Sequence, residues 1–262
     1  MWLEVFRQSL RDTWRGLAWW AVGLTLYVLL ILAFYPSIKN DPAISQVIQN
    51  LPEALRSLFG EDFSSPAGYV GGRLFSLMPV LLSVFAGLSG AALIAGAEAR
   101  GHLEFPLSQP LARGALLAGR ALALFVLLLG LGFVLFLSTW VFGQLFQAPL
   151  PAARVLETAA LHTLGAWVFG ALALAVGAAT GRPGLASALG AGLGTGLVVL
   201  HTLSGQVTAL RDTGWLNPWH AALAESPLRN VVGAGPLLAC LLAGLVWVFL
   251  AAPLLGRRDV GR

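Results

Sequence analysis

Four histidines and one serine are the side chains of this sequence that could do chemistry in apolar surroundings. His162 and His201 fall inside long apolar runs, whereas His102 and His220 lie outside them. An ionisable side chain within such a run suggests a proton or substrate pathway. A neutral imidazole can also be satisfied by a neighbouring hydroxyl or carbonyl group, so both interpretations of His162 and His201 stay open.

Ser89 lies in the run Gly-Leu-Ser-Gly at residues 87–90, which resembles the motif around the serine of rhomboid intramembrane proteases. A histidine from another segment would complete a Ser–His dyad. The His-rich signature expected upstream of that serine is absent, and Gly and Ser are common in membrane helices because small residues allow close packing. An intramembrane serine protease is therefore kept only as an alternative, and we assign no catalytic residue.

Binding and hydrolysis of ATP by this chain alone, in the manner of a P-loop protein, is excluded. Its only lysine is Lys39, in Ser-Ile-Lys-Asn, so a G-x-x-x-x-G-K-[ST] loop cannot exist. If ATP drives this protein, another subunit must bind it. The single cysteine, Cys240, excludes an intrachain disulfide and a cysteine-based metal site. We assign neither a metal nor a cofactor to this chain.

Composition identifies the solvent of the chain. Hydrophobic residues make up 57% of it and charged residues only 11%, against about 25% charged residues in a soluble domain. Lipid must therefore solvate most of the chain. The net charge of +4 does not indicate nucleic acid, because the arginines are spread along the chain and not clustered on one helix face.

Six apolar runs are long enough to cross about 30 Å of hydrocarbon as helices. They lie near 16–35, 74–97, 121–143, 155–180, 184–203 and 231–255. The runs are continuous and not alternating, which excludes barrel strands. The sequence therefore predicts a single all-α transmembrane domain over residues 1–262, with a tight hairpin at residues 181–183 between the fourth and fifth spans.

The basic residues predict the orientation. Ten of the 16 Lys and Arg residues fall on the side of the termini and six on the other. Loops rich in Lys and Arg stay in the cytoplasm. We therefore expect a multi-pass protein of the cell membrane with both termini cytoplasmic.

Two segments outside the spans show helical periodicity. In residues 1–15, apolar residues form one stripe and arginines recur every fourth position beside it, which favours a helix lying in the membrane interface. The alternative is a basic flank before the first span. The outer loop, residues 36–73, repeats apolar residues with a period near 3.6 and predicts an amphipathic helix that Pro52 kinks or divides.

Glycines of the fifth span form small-xxx-small pairs, at Gly190 and Gly194 and at Gly192 and Gly196. Helix packing explains such pairs. A face that slides, or that lines a path in a transporter, explains them as well, and both explanations can hold. In the fourth span, Glu157 follows Arg154 by three positions, which predicts a local ion pair.

The stretch 98–120 is the largest polar region between spans on the side of the termini. A short helix is expected to run to Phe105, because the residue before Pro106 avoids the α region. Pro110 enforces another turn, and a helix then resumes into the third span. Residues 98–113, which we call the coupling region, are therefore expected to project from the membrane.

This stretch resembles the membrane subunits of type-two ABC exporters. The matching residues are Glu98, Gly101, Leu103, Glu104, Ser108, Pro110, Arg113 and Arg120. The Arg-Arg-Asp ending at 257–259 and the Leu-Pro and Phe-Gly pairs of the first outer loop are similar too. His102 and the Phe105-Pro106 pair depart from the family pattern.

The resemblance implies a permease that works with a second copy or a paralogue and with two cytoplasmic ABC ATPase subunits, which bind ATP and Mg. It implies a coupling helix that docks on the ATPase. The residues assigned to coupling are Glu98, Arg100, Leu103, Glu104, Ser108 and Arg113.

Similarity to these exporters also places the substrate path along the second and fifth spans. The candidate path residues are Ser83, Phe85, Ser89, Thr195 and His201. Because the spans lack buried carboxylates, an apolar or amphipathic substrate is expected. The alternative is a secondary transporter or flippase without an ATPase, but broken helices or a membrane-embedded acid are not evident.

Overall fold

The computed structural model describes residues 2–39, 65–101, 113–204, 214, 217–224 and 226–256. Within these residues the chain is α-helical and has no β-strand. Six of the helices are long and apolar enough to cross a membrane. The prediction of an all-α protein with six transmembrane helices is therefore confirmed.

The described helices and their bounds are α1 (Trp2–Lys39), α2 (Pro66–Ala99), α3 (Arg113–Leu145), α4 (Ala152–Thr180), α5 (Pro183–Ser204), the single turn α6 (His220–Leu223) and α7 (Ala234–Gly256). The start of α1 packs on the start of α3, and the end of α4 packs on the end of α2. We call the side that holds these four helix ends the proximal side and the other the distal side.

The helix at the centre of the bundle is α4. It packs against α2, α3, α5 and α7, whereas α1 packs mainly on α3. Of an apolar stretch of 18 residues in α4, 83% are buried, against 17% in the corresponding stretches of α1 and α7 and 22% in that of α5. Alanine and glycine are frequent in α4, and such small residues let neighbouring backbones approach closely.

The hairpin between α4 and α5 has the predicted position. Gly181 adopts a left-handed conformation with φ of 63°, and its N–H donates to the carbonyl oxygen of Gly177 at 2.9 Å. Glycine ends helices in this way because it has no Cβ to clash. Two residues later, Pro183 begins α5. The prediction of a tight turn at residues 181–183 is therefore confirmed.

Residues 2–15 of the N-terminal segment are helical, in agreement with the helix predicted for residues 1–15, and the position of this helix in the membrane interface stays a prediction. Residues 2–15 are the first turns of α1, which continues without interruption for 38 residues, a length of about 57 Å. Gly16 alone does not end the helix, and contact with α3 stabilises it. Val5 and Ser9 are buried there, while Trp14, on the predicted apolar stripe, is 56% exposed.

Two π-helical stretches interrupt α2, at Val70–Phe75 and Ala92–Gly96. Such wide turns are rare and occur frequently at functional sites. The proximal stretch is followed at once by Ala97–Ala99, the last helical turn of α2, in which the predicted coupling region begins. The backbone register of α2 therefore changes just before the chain leaves the bundle.

Several predicted segments lie wholly or partly outside the described residues. Of the outer loop 36–73, residues 36–39 belong to α1 and residues 66–73 to α2, while 40–64 are not described. The helix predicted within that loop therefore stays a prediction. Residues 102–112 of the coupling region and the ending 257–262 also lie outside the described residues.

Candidate functional site

Glycines bring α2, α4 and α5 into backbone contact at the centre of the bundle. A Cβ atom added to Gly87 would lie 2.5 Å from the backbone nitrogen of Ala191. One added to Gly90 would strike the carbonyl oxygen of Gly170. We call this contact the glycine seam. It leaves no space between the three helices at these levels.

The fifth helix carries one glycine pair on each of two faces. Gly190 and Gly194 are buried in the glycine seam, and a Cβ atom at Gly190 would lie 2.7 Å from that of Ala173. At Gly192 and Gly196 an added Cβ atom would meet nothing within 4 Å. Helix packing therefore explains the inner pair, while the outer pair has space for an added Cβ atom among the described residues.

Trp219 fills the distal end of the seam. Its side chain is fully buried, and its indole N–H donates to the carbonyl oxygen of Gly194 at 3.0 Å. The indole stacks on Phe169, with ring centroids 5.5 Å apart and planes inclined by 22°. Gly194 lies ten residues before the end of α5 at Ser204, so Trp219 reaches about 15 Å below that end.

The segment around Trp219, residues 217–223, is held by further hydrogen bonds, and we call it the distal plug. The side-chain amide of Asn217 donates to the carbonyl oxygen of Leu197 at 2.8 Å. The backbone N–H of Trp219 donates to the Asn217 side chain at 3.0 Å. The thiol of Cys240 lies 3.7 Å from the carbonyl oxygen of Pro218. The plug therefore connects α5 to α7 from the distal side.

His162 is part of the packed core. It is fully buried, with Nδ1 2.8 Å from the carbonyl oxygen of Thr158 and Nε2 3.2 Å from that of Phe75. Phe75 ends the distal π-helical stretch of α2, and its ring also lies against the imidazole at 5.1 Å. Both ring nitrogens thus face backbone carbonyls, which favours the structural interpretation of His162.

The predicted Arg154–Glu157 pair is confirmed, and it ties α4 to the segment before α7. The Arg154 Nη1 and Glu157 Oε2 atoms lie 2.6 Å apart. The other oxygen of Glu157 accepts hydrogen bonds from the backbone N–H groups of Val232 at 2.9 Å and Gly233 at 3.1 Å. We call this arrangement the distal clasp.

Two of the predicted path residues, Ser83 and Phe85, contact different helices. The hydroxyl of Ser83 is buried against Gly194 of α5 and donates to the carbonyl oxygen of Pro79 at 2.6 Å. Phe85 is 3% exposed and packs edge-on against Trp20 of α1, with centroids 5.6 Å apart. The structure therefore does not bring Ser83 and Phe85 to one face of α2.

The other three predicted path residues, Ser89, Thr195 and His201, are half-buried. The ring of His201 lies 5.9 Å from that of His220 in the distal plug, at an angle of 76°. Among the described residues, no group of three or more His, Cys, Asp or Glu side chains is arranged to hold a metal ion. The assignment of a path to these five residues stays a prediction.

Of the six residues predicted to couple the protein to an ATPase, the structure places three. Glu98 lies in the last turn of α2, Arg100 follows that turn, and the backbone of Arg113 begins α3. Leu103, Glu104 and Ser108 lie outside the described residues. The described coupling residues therefore bracket the polar segment at the proximal side.

The burial of Trp219 and Arg120 was not predicted from the sequence. Trp219 lies between the fifth and sixth apolar runs and was expected outside the membrane. The Asn-Pro-Trp-His run at 217–220, aromatic and apolar within a polar loop, was the available signal. Arg120 was named only as a match to the family pattern, and its side chain is 7% exposed.

Six apolar helices around a glycine seam, with a polar proximal segment, define a multi-pass membrane protein. The family described as ABC-2 family transporter protein matches residues 3–224, most of the chain. The chain belongs to this family and is an ABC transporter permease, a membrane transport subunit. No curated protein matches the chain.

Proposed function

We propose that this permease works in an ATP-driven exporter, together with a second permease copy or a paralogue and two ABC ATPase subunits. The observation that carries the proposal is the family match over residues 3–224. The ATPases bind ATP and Mg, because this chain has one lysine and no P-loop. The chain contributes the path through the membrane.

Energy enters at the proximal side, through residues 98–113. Glu98 and Arg100 follow directly on the π-helical stretch Ala92–Gly96. Arg100 is exposed, and Glu104 adds a further charge to this segment of the sequence. Charged groups in such a surface fix partner choice and register more than affinity. Closure of the ATPases then tilts the helices between inward-facing and outward-facing arrangements.

The proximal side is cytoplasmic in this proposal. The predicted topology assigns ten of the 16 basic residues of the sequence to that side, and loops rich in Lys and Arg stay in the cytoplasm. An ATPase docked at residues 98–113 requires the same orientation. The distal plug and the distal clasp then face the outside of the cell.

The second permease copy packs on the outer face of α5. Gly192 and Gly196 present a small-residue pair without neighbours there, and such pairs allow two transmembrane helices to approach closely. The substrate path runs along α2 and α5, and separation of the glycine seam opens it. The buried Trp219 closes this path at its distal end in the conformation described here.

The substrate is apolar or amphipathic. The buried polar side chains of the described residues are hydroxyls, one imidazole and one guanidinium, with no carboxylate among them. A cation would require acidic partners within the membrane. The protease alternative is not favoured, because His162 faces two backbone carbonyls.

A cysteine-labelling experiment tests the orientation. Cys240 is replaced by alanine, and a single cysteine is introduced either at Arg182, exposed on the proximal side, or at Val231, 71% exposed on the distal side. A membrane-impermeant maleimide applied to intact cells should label the Val231→Cys protein. The Arg182→Cys protein should be labelled only after permeabilisation. The reverse pattern contradicts the proposal.

Purification with the ATPase tests the coupling. The tagged chain, purified from its own membranes, should carry an ABC ATPase identified by its P-loop peptides. Glu104→Arg should remove most of that ATPase. Glu4→Arg, the same change at an exposed proximal position, should leave it bound. Equal recovery from both variants, or no ATPase with the unmodified chain, overturns the coupling assignment.

A further inference from the structure

Arg120, in the first turns of α3, has a buried guanidinium group. The residue is 7% exposed, and its Nε and Nη1 atoms are buried without a hydrogen-bond partner among the described residues. Burying a cation without a partner is costly, and buried charges are ordinarily paired. The group therefore requires a partner beyond those described.

A polar pocket adjoins the guanidinium group. It has a volume of about 30 Å³ and lies between α1, the end of α2 and α3. Gln8 and Asp12 line it from α1, and Arg100 lines it from α2. Two arginines and one aspartate give this lining a charge of +1, so one monovalent anion neutralises it.

The hydrogen-bond donors that stay available in the pocket suit a ligand with acceptor oxygens. The hydroxyl of Ser9 donates to the carbonyl oxygen of Val5, and that of Thr13 donates to the carbonyl oxygen of Ser9, both at 2.7 Å. Their protons are therefore committed to the backbone. The free donors come from Arg120, Arg100 and the amide of Gln8.

The pocket lies at the depth of the lipid headgroups. Arg120 directly precedes the apolar run 121–143, and Asp12 lies one turn before the apolar run of α1. Arg15, with its guanidinium 5.9 Å from the ring centroid of Trp14, marks the same level. Tryptophan and arginine gather at the membrane–water interface, where lipid phosphates are concentrated.

We propose that this pocket binds a phosphoryl group of single negative charge through Arg120 and Arg100. A volume of about 30 Å³ holds two or three water-sized atoms, enough for phosphoryl oxygens but not for a whole headgroup. The depth of the pocket favours a lipid phosphodiester as the source of the phosphoryl group over free phosphate. The proposal is independent of the transport proposal, because binding and unfolding test it without ATP.

Thermal unfolding of the full chain, purified in detergent and freed of lipid, tests the site. Phosphatidylglycerol should raise the unfolding temperature by about 3–6 °C, whereas diacylglycerol with the same chains should not. Arg120→Met should abolish this increase. Arg182→Met, at an exposed proximal arginine, should retain it. Inorganic phosphate, added without lipid, should not raise the unfolding temperature, and its presence should not remove the effect of phosphatidylglycerol. An increase with inorganic phosphate alone would identify free phosphate, and not a lipid, as the ligand.

Two outcomes overturn the proposal. One is equal stabilisation by phosphatidylglycerol and diacylglycerol, and the other is a lipid effect that survives Arg120→Met. If Arg120→Met does not fold, the same measurement of unfolding temperature is made on Asp12→Asn. Without the Asp12 carboxylate, which repels the phosphoryl group, phosphatidylglycerol should raise the unfolding temperature further. If Asp12 itself is the partner of Arg120, the variant unfolds at a lower temperature and gains nothing from the lipid, which rejects the site.

Discussion

The two faces of α5 have similar sequences and different surroundings. On the inner face, Gly190 and Gly194 contact α2 and α4 so closely that an added Cβ atom would displace a neighbour. On the outer face, Gly192 and Gly196 meet nothing within 4 Å. Both pairs have the same spacing and lie in the same helix.

A pair of small residues in the sequence therefore indicates only that a neighbouring helix can approach closely at this point. Whether the approach occurs within one chain or between two chains depends on the other helices. The inner pair is fixed by contact with Ala173 and Ser83. The outer pair, where we propose that a second copy packs, meets nothing within 4 Å, and substitutions can separate the two roles.

The largest expected effect is at the contact that seals the inner face. Trp219→Ala should lower the free energy of unfolding by about 3–5 kcal/mol, because the side chain is fully buried and bonded to Gly194. Unfolding in mixed detergent micelles measures it. Trp19→Ala, at a residue 77% exposed, should change stability by less than about 0.5 kcal/mol. Similar losses in both would show that the plug does not support the seam.

A Gly→Ala substitution should affect the free energy of unfolding differently on the two faces of α5. Gly194→Ala introduces a Cβ atom that would strike the Ser83 hydroxyl, and it should cost about 1–3 kcal/mol. Gly192→Ala meets open space and should leave stability unchanged or raise it by up to about 1 kcal/mol. Equal effects in the same unfolding assay would remove the distinction between the faces.

The distal clasp extends the comparison to the rim of the bundle. Glu157→Gln weakens the 2.6 Å pair with Arg154 and the hydrogen bonds from two backbone N–H groups. We expect a loss of about 1–2 kcal/mol, since the carboxylate is partly buried. Glu4→Gln, at an exposed pair, is the control and should cost less than about 0.5 kcal/mol. A larger loss at Glu4 would reverse the assignment.

The smallest effect on stability is expected on the outer face, where oligomerisation is the sensitive measurement. Gly196→Leu should change the unfolding free energy by less than about 0.5 kcal/mol and should abolish the proposed dimer. Gly235→Leu, at an open position of α7, should affect neither. Counting photobleaching steps of labelled protein in lipid nanodiscs distinguishes them. A dimer that survives Gly196→Leu places the second copy elsewhere.

The sequence predicts the helices well because lipid imposes simple rules. A span must be apolar over about 20 residues, and all six runs meet that rule. The hairpin at Gly181 was predictable too, since a Gly-x-Pro run both ends one helix and starts another. The Arg154–Glu157 pair follows from helical spacing alone.

The faces of the helices were not predictable in the same way. Ser83 and Phe85 are two residues apart on α2 and contact different helices, α5 and α1. That division depends on how the helices pack, which local composition does not encode. The positions of the π-helical stretches depend on backbone register. The burial of Trp219 beside α5 depends on neighbours distant in sequence.

The length of α1 has a mechanical consequence. If this helix of 38 residues, about 57 Å long, rotates by 10° about its midpoint, each end moves by about 5 Å. A Cβ atom at Gly119 would lie 3.1 Å from the side chain of Val5, a contact too close to persist through such a displacement. Because this contact would be lost if α1 moved alone, we expect the first and third helices to change their inclination together.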